Sequence, residues 1–487
     1  MNNRPSSDRV FSIFKELNQI PRPSHHEERV ADYLCQFAER LHLEYERDTA
    51  NCVVIRKPAS KGYEQAEPIV LLNHMDMVCV GMKDPLTTPI EAYTEDGWMK
   101  ARGTSLGADN GIGLSMALAV LEDSDIIHGP LEVITTTNEE DGMSGASQLS
   151  PDFLRGREVI NLDSEDYDTI TTGAAGACLQ FHEIPMKRLE APAGHEWFRI
   201  CFEGGLGGHS GVDINKGRIS ATVASATILA AISQACKFHL SYIKIGEANA
   251  SIASSAEMIV CVPSEAAAFV QSQEGEMNNW LKEKFGETDP GMRCHIETCE
   301  QQATVVNPEA FMALMASLKS TPQGVIKMSA VMKDTVETSN NIGIVEMREN
   351  CIFVSTHSRS FIDADLERLS DDIASVFQAN GAVSRRVMMA PAWQEDQQSP
   401  FLQLTSETFN DILGWRPRMV AMHFVLEAGY FVQKYPGIQI ASIGPRIVEP
   451  HSTSERIQLS TINDIWEVLL ELLYRLTQPV CIVEVEV

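Results

Sequence analysis

Apolar residues recur at helical spacing near the amino end and gather into short unbroken runs further along. Val10, Ile13, Phe14 and Leu17 share one face, which predicts a helix over 8–19. Ser24 followed by Glu27 and Glu28 reads as a second helix start, and that helix runs through Val30, Leu34 and Phe37. Three apolar runs, Cys52–Ile55, Ile69–Leu72 and Leu131–Thr135, are mostly flanked by turn residues and suit buried strands of a mostly parallel sheet. Ile112–Leu121 is an apolar helix opening just after Gly111. Together these make an α/β pattern with helices on both faces of a sheet.

The middle of the chain changes character. Glu257–Val262 reads as a strand, Ser264–Phe285 as a helix and Met292–Thr298 as a strand. The same order returns in Cys351–Thr356, Asp363–Gln378 and Val383–Met389. Two β-α-β units of similar length predict a second domain built from two related halves. Beyond residue 394 the first pattern resumes with a helix at Phe401–Leu413, a strand at Ile438–Ile443 and a final helix at Asp464–Leu476. The expected organisation is a first domain in two segments, 1–184 and 394–487, interrupted by an inserted domain at 185–393.

Composition narrows the function. The chain has 487 residues, with 67 Asp and Glu against 39 Lys and Arg and a net charge of -28. So acidic a surface repels phosphate backbones and anionic lipid, and no basic cluster offsets it, so nucleic-acid and membrane binding are not expected. No run approaches the roughly 20 apolar residues of a membrane span, and the first residues lack the apolar core of a signal peptide. Eleven scattered cysteines without a CxxC pair fit free thiols in a reducing cytosol.

Five segments carry ionisable residues at the ends of apolar strands or in the loops and turns beyond them. In LLNHMDMV, His74 and Asp76 are two apart at a strand's carboxyl end, so their side chains point the same way. In an α/β sheet that end is where ligands bind. In SLGADNGIGL, Asp109 sits in a glycine-flanked turn that opens an apolar helix, and on this segment alone a plain helix cap is the better explanation. Glu139 and Glu140 are adjacent carboxylates after an apolar strand, a costly pair unless a cation or a proton intervenes. Asp163 ends another apolar strand, and His451 lies in a turn-rich loop. Each has a bland explanation alone. Together, His74, Asp109, Glu140, Asp163 and His451 supply two imidazoles and three carboxylates without thiolate, a donor set that suits zinc, cobalt or manganese. Five ligands exceed the need of one catalytic zinc but serve two metals if one carboxylate bridges, which is a hydrolytic design. Glu139 is then free as general base, and Asp76 is placed to orient His74.

These motifs resemble the co-catalytic dizinc peptidases of the clan containing glutamate carboxypeptidase, peptidase T and the carnosinases. Within that clan the chain is most similar to the bacterial aminoacyl-histidine dipeptidases. His-x-Asp at 74–76, Gly-Ala-Asp-Asn-Gly at 107–111, Thr-x-Glu-Glu-x-Gly at 137–142, Asn-Leu-Asp at 161–163 and Gly-Pro-x-Ile-x-x-Pro-His-Ser at 444–452 occur in the family's order, over nearly the whole chain. The resemblance implies an α/β fold: a mixed-sheet dizinc exopeptidase-like catalytic domain with an inserted α+β lid domain of two β-α-β halves. It implies that Asp109 bridges two zinc ions, that His74 and Asp163 complete one site and Glu140 and His451 the other, and that the Asp109–Asn110 peptide is cis. Gly-Gly-His-Ser-Gly at 207–211 is similar to the lid motif whose histidine, here His209, contacts the scissile carbonyl and in dimeric relatives reaches the partner's site.

The resemblance also makes Arg359 a candidate anchor for the substrate's carboxylate, since Arg binds carboxylate in bidentate fashion, and Glu427 a candidate partner of its free α-amino group. The implied activity is hydrolysis of dipeptides, Xaa-His among them, by a cytoplasmic homodimer paired through the lid, with Co²⁺ or Mn²⁺ able to replace Zn²⁺. The alternatives are an N-acyl amino-acid deacylase, a tripeptidase, or an inactive relative that only binds ligands. Two departures bear on specificity: where relatives carry Asn-Ala-Ile-Pro, this chain reads Ala250-Ser251-Ile252-Ala253, with Asn249 one position early and no proline, and the family's Gly-Leu-Glu-Cys-Gly is Val425-Leu426-Glu427-Ala428-Gly429 here.

Overall fold

In the computed structural model, which describes residues 5–394 and 396–478, the chain divides into two compact units. The first takes residues up to 173, then 393–421, then the chain from 427; the second takes 174–392 and 422–426.

The first unit is built on a nine-stranded mixed sheet. Its centre is four parallel strands side by side, in the order Leu131–Thr136, Ile69–His74, Glu158–Asn161 and Gln439–Ser442. Ile69–His74 is buried at every position, as a central parallel strand covered on both faces must be. The strand Val53–Lys57 was expected among the parallel ones, but it runs antiparallel to Leu131–Thr136. The helix Ala108–Glu122 is apolar all round and almost wholly buried. The helix Asp8–Leu17 packs on it, and its Val10, Ile13, Phe14 and Leu17 are all buried, as their spacing predicted. The second helix begins at Glu28 rather than Ser24, because the Ser24 hydroxyl is engaged elsewhere, on Asp76.

The second unit has a nine-stranded sheet in which every pairing is antiparallel. The strand Gly176–Pro185, expected in the first segment at 1–184, belongs to this sheet instead: it pairs with Cys351–Ser360 on one side and Val383–Ala390 on the other. That pairing explains the repeat. In neither half do the two strands of the β-α-β unit touch. His195–Glu203 separates Ala256–Pro263 from Arg293–Thr298, just as Gly176–Pro185 separates Cys351–Ser360 from Val383–Ala390. Each half is therefore a split β-α-β within a β-α-β-β-α-β fold, and the halves join where His239–Ile245 pairs with Val336–Met347. Helices cover one face, over a core that includes Ile228, Val270, Leu314, Val354 and Phe377.

Candidate metal centre

The carboxyl ends of the four parallel strands lie next to one another, and each delivers one ionisable residue. His74 ends its own strand. Glu140 follows Leu131–Thr136, Asp163 follows Glu158–Asn161, and His451 lies in the loop beyond Gln439–Ser442. Asp109 comes from the amino end of the helix Ala108–Glu122, where its φ and ψ are not helical and its peptide with Asn110 is cis. The cap position belongs to Gly107 and not to Asp109, so the capping explanation of Asp109 fails. Gly107 has φ 66°, and a Cβ there would meet the Arg22 guanidinium at 2.7 Å.

Asp109 faces both histidines. Its Oδ1 is 3.1 Å from His74 Nε2 and its Oδ2 is 3.1 Å from His451 Nε2. Asp163 Oδ1 lies 3.3 Å from His74 Nε2, and Glu140 Oε2 lies 2.9 Å from His451 Nε2. The five residues thus form two lobes joined by one carboxylate. Among the described residues no lysine or arginine pairs with Asp109, Glu140 or Asp163, and Asp163 Oδ1 is buried without a hydrogen bond. The protein alone relieves this crowding with protons. Hydrogen bonds to Asp109 and Glu140 push His451 up to about 11. Burial pushes Asp163 up to about 7. Divalent cations would neutralise the same carboxylates without protons, so the donor set and its orphaned oxygen fit a pair of metals.

Asp76 is fully buried beneath this cluster. Its carboxylate accepts hydrogen bonds from Ser24 Oγ at 2.7 Å, Glu139 N at 3.0 Å and Glu140 N at 3.2 Å, and its Oδ1 is 3.4 Å from His74 Nδ1. It therefore positions the Glu139–Glu140 loop as well as the imidazole. Burial alone would raise its pKa, but His74 and these donors hold it low. Glu139 is nearly buried, and burial with the neighbouring carboxylates pushes it well above the ordinary range. Glu427 is buried; its Oε2 accepts from Thr136 Oγ1 at 2.7 Å, and its Oε1 has no partner.

Three further residues bear on the cluster and were not anticipated. Arg22 is buried and donates to the carbonyls of Met75, Asp76 and Gly107, tying two of the loops together. Glu455 grips the other side of the same turn, accepting from the N–H groups of Leu106, Gly107 and Ala108. Glu165, two residues beyond Asp163, offers a carboxylate oxygen within 4.8 Å of ligand atoms of Asp109 and His451. The second carboxylate of Asp-Ser-Glu was the signal available for Glu165. An arginine in a loop gave none.

The second unit carries His209 and Arg359. Gly208, with φ 119°, lets the His209 N–H reach Asp213 Oδ2 at 2.8 Å. His209 Nδ1 accepts from the backbone N–H groups of Gly211 and Val212, both at 3.2 Å. The neutral ring's proton must then sit on Nε2, which makes that nitrogen a donor. Burial and the nearby Arg359 hold the ring below its ordinary pKa and so neutral. The divergent Ala250–Ala253 segment pairs directly with this loop, through Ser210 N to Ala250 O at 2.8 Å and Ile252 N to Gly208 O at 2.9 Å. Arg359 is buried on the strand Cys351–Ser360.

Residues 70–475 match peptidase family M20/M25/M40. The chain is 34% identical over 468 residues to the cytosol non-specific dipeptidase of Escherichia coli, covering 95% of this chain and 96% of that one. Its fold superposes on the aminoacylhistidine dipeptidase of Vibrio alginolyticus with a TM-score of 0.90 at 31% identity, covering 97% and 98% of the two chains. The aminopeptidase PepT of Bacillus cereus shares the fold at a TM-score of 0.60 and 18% identity, over 97% and 99%.

Proposed function

The chain belongs to peptidase family M20/M25/M40, and we propose that it is a dinuclear-zinc dipeptidase acting on unblocked dipeptides, Xaa-His among them. The observation that carries this reading is the Asp109 carboxylate, with one oxygen 3.1 Å from each histidine. His74 and Asp163 would hold one zinc ion, Glu140 and His451 the other, and Asp109 both; cobalt or manganese suits the same donors. When bound, such a pair polarises the scissile carbonyl and makes a water nucleophilic at neutral pH.

The protein's own groups do the rest. Glu139 is not committed to a metal in this scheme; its carboxylate takes a proton from the attacking water and returns it to the leaving amine. Asp76 keeps Glu139 in place through the backbone N–H it accepts. His209 Nε2–H is the donor for the developing oxyanion, and its tautomer is already set by the two N–H groups on Nδ1. The Arg359 guanidinium takes the dipeptide's carboxylate, and Glu427 Oε1, left without a partner, takes its ammonium.

The same reading makes the protein a homodimer paired through the second unit and places it in the cytoplasm. The name of the E. coli relative supports the location, and no helix among the described residues is long and apolar enough to cross a membrane. The test is a panel of Xaa-His and Xaa-Leu dipeptides, tripeptides and N-acetyl amino acids, with and without chelator. Chelator-sensitive turnover of free dipeptides is expected. A preference for N-acetyl amino acids or tripeptides would overturn the dipeptide assignment.

A further inference from the structure

The helix-free face of the second unit's sheet holds a buried cation with no acid to match it. His357 and Arg359 are two apart on the strand Cys351–Ser360 and so share a face. Ile352 and Val354, of the opposite parity, pack into the core under the helices. Ser339 stands directly across from Arg359 in the neighbouring strand, and its Oγ lies 2.8 Å from His423 Nε2. Arg359 is 3% exposed. Its guanidinium has one long contact, to Ser210 Oγ at 3.4 Å, and its Nε has none. His357 leaves both ring nitrogens unbonded, and His423 leaves Nδ1 unbonded. No carboxylate among the described residues pairs with any of the three.

Buried donors and a buried charge left unpaired are costly, which points to a ligand that supplies the acceptors. The charge of the site limits that ligand. Burial, with Arg359 close by, holds both imidazoles far below their ordinary pKa, so they are neutral donors and Arg359 is the one charge. A monoanion balances it; a dianion such as phosphate leaves a buried charge over. A carboxylate has room for a guanidinium fork and two more N–H groups on its four lone-pair positions. The Ser339–His423 pair accommodates either direction; the tautomer that serves an anion is the one in which the Ser339 hydroxyl donates to Nε2 and the His423 proton sits on Nδ1, the nitrogen that has no protein partner.

We infer that His357 and His423 are substrate-binding residues which, with Arg359, enclose the dipeptide's C-terminal carboxylate, each imidazole donating one N–H to it. The inference rests on the reading that Arg359 anchors that carboxylate. Both are tested on the full chain loaded with zinc, with Ala-His and Ala-His amide as paired substrates. His357→Phe and His423→Phe should each lower kcat/KM for Ala-His by about tenfold to a hundredfold, the loss of one charge-assisted hydrogen bond, chiefly through KM. Turnover of the amide should fall by clearly less, because its carbonyl accepts only a neutral hydrogen bond, and zinc content should stay as in the wild type. His357→Gln and His423→Gln, which keep a neutral N–H, should lose less. Ser339→Ala should weaken Ala-His more than the amide, by freeing the His423 ring. If either Phe variant fails to fold, the Gln variants and Ser339→Ala decide by the same comparison. Equal losses on acid and amide, or an unchanged KM for Ala-His, overturn the inference. Arg359→Gln separates the two readings. If it abolishes the preference for acid over amide while the histidine variants retain it, the histidine role fails and the anchor stands. If it leaves that preference intact, the anchor itself is wrong.

Discussion

Replacing Asp109 by Ala is the sharpest test of the metal centre. Each of its oxygens lies 3.1 Å from one imidazole Nε2, so the substitution strips a ligand from both lobes at once. What remains is His74 with Asp163 on one side and His451 with Glu140 on the other. Removing even a group that only orients a ligand costs about 10–100-fold in metal affinity, so a shared ligand should cost at least the upper end at both sites. At free zinc tenfold above the wild-type Kd, occupancy would fall from about nine-tenths to about one-tenth at each site. Glu140 pairs with His451, although its carboxylate also lies within 4.8 Å of ligand atoms of His74 and Asp109; with Glu140 assigned to the His451 lobe, Glu140→Ala should mainly empty one site. The assay is elemental analysis after dialysis against buffered zinc, supported by calorimetric titration of the metal-free protein. Two metals per chain retained in Asp109→Ala would refute the bridge.

The remaining tests address chemistry and stability. Glu139→Gln should keep both metals yet lose about 10²–10⁴ in turnover, the usual worth of a general base; near-normal rates would reassign the base. His209→Ala should lose about 10²–10³, in kcat more than KM, with metals retained. If the donor comes from a partner subunit, mixing this variant with Glu139→Gln should restore part of the activity; full turnover in His209→Ala alone would make the residue structural. His128 and His182 are buried and held neutral, each lowered by burial to about 4. The unfolded chain regains the ordinary value of about 6.5, so it binds more protons than the native state between those values. Stability should therefore fall as pH drops from 6.5 toward 4, by up to about 3 kcal/mol per histidine. Urea unfolding of the metal-free protein at pH 7 and 4.5 should show a smaller loss in His182→Gln than in the wild type; equal losses would count against the linkage.

The five residues gathered at the strand ends were legible because most of their motifs are local: an apolar run that ends, and an ionisable residue just beyond it. Periodicity placed the first helix and the central strands for the same reason, since burial on one or both faces is written into short spacing. What periodicity could not resolve was pairing. The antiparallel place of Val53–Lys57 and the transfer of Gly176–Pro185 to the second unit depend on which strand lies alongside. Ser24 resembled a helix start because a serine before two glutamates is a local signal, whereas its bond to Asp76 spans 52 positions.

Sequence alone determined the kind of chemistry: two histidines and three carboxylates at strand ends, a spare glutamate, and glycines around one exposed-looking histidine. Tertiary structure decided who faces whom. It set Asp109 between His74 and His451, brought Glu455 across 347 positions to cap Ala108, and buried Arg22, which no local signal had marked. The parity of His357 and Arg359 was there to be read, but the lack of any acid beside them was not. Whether a buried charge is answered depends on every residue the fold packs around it, and no local stretch of chain contains that information.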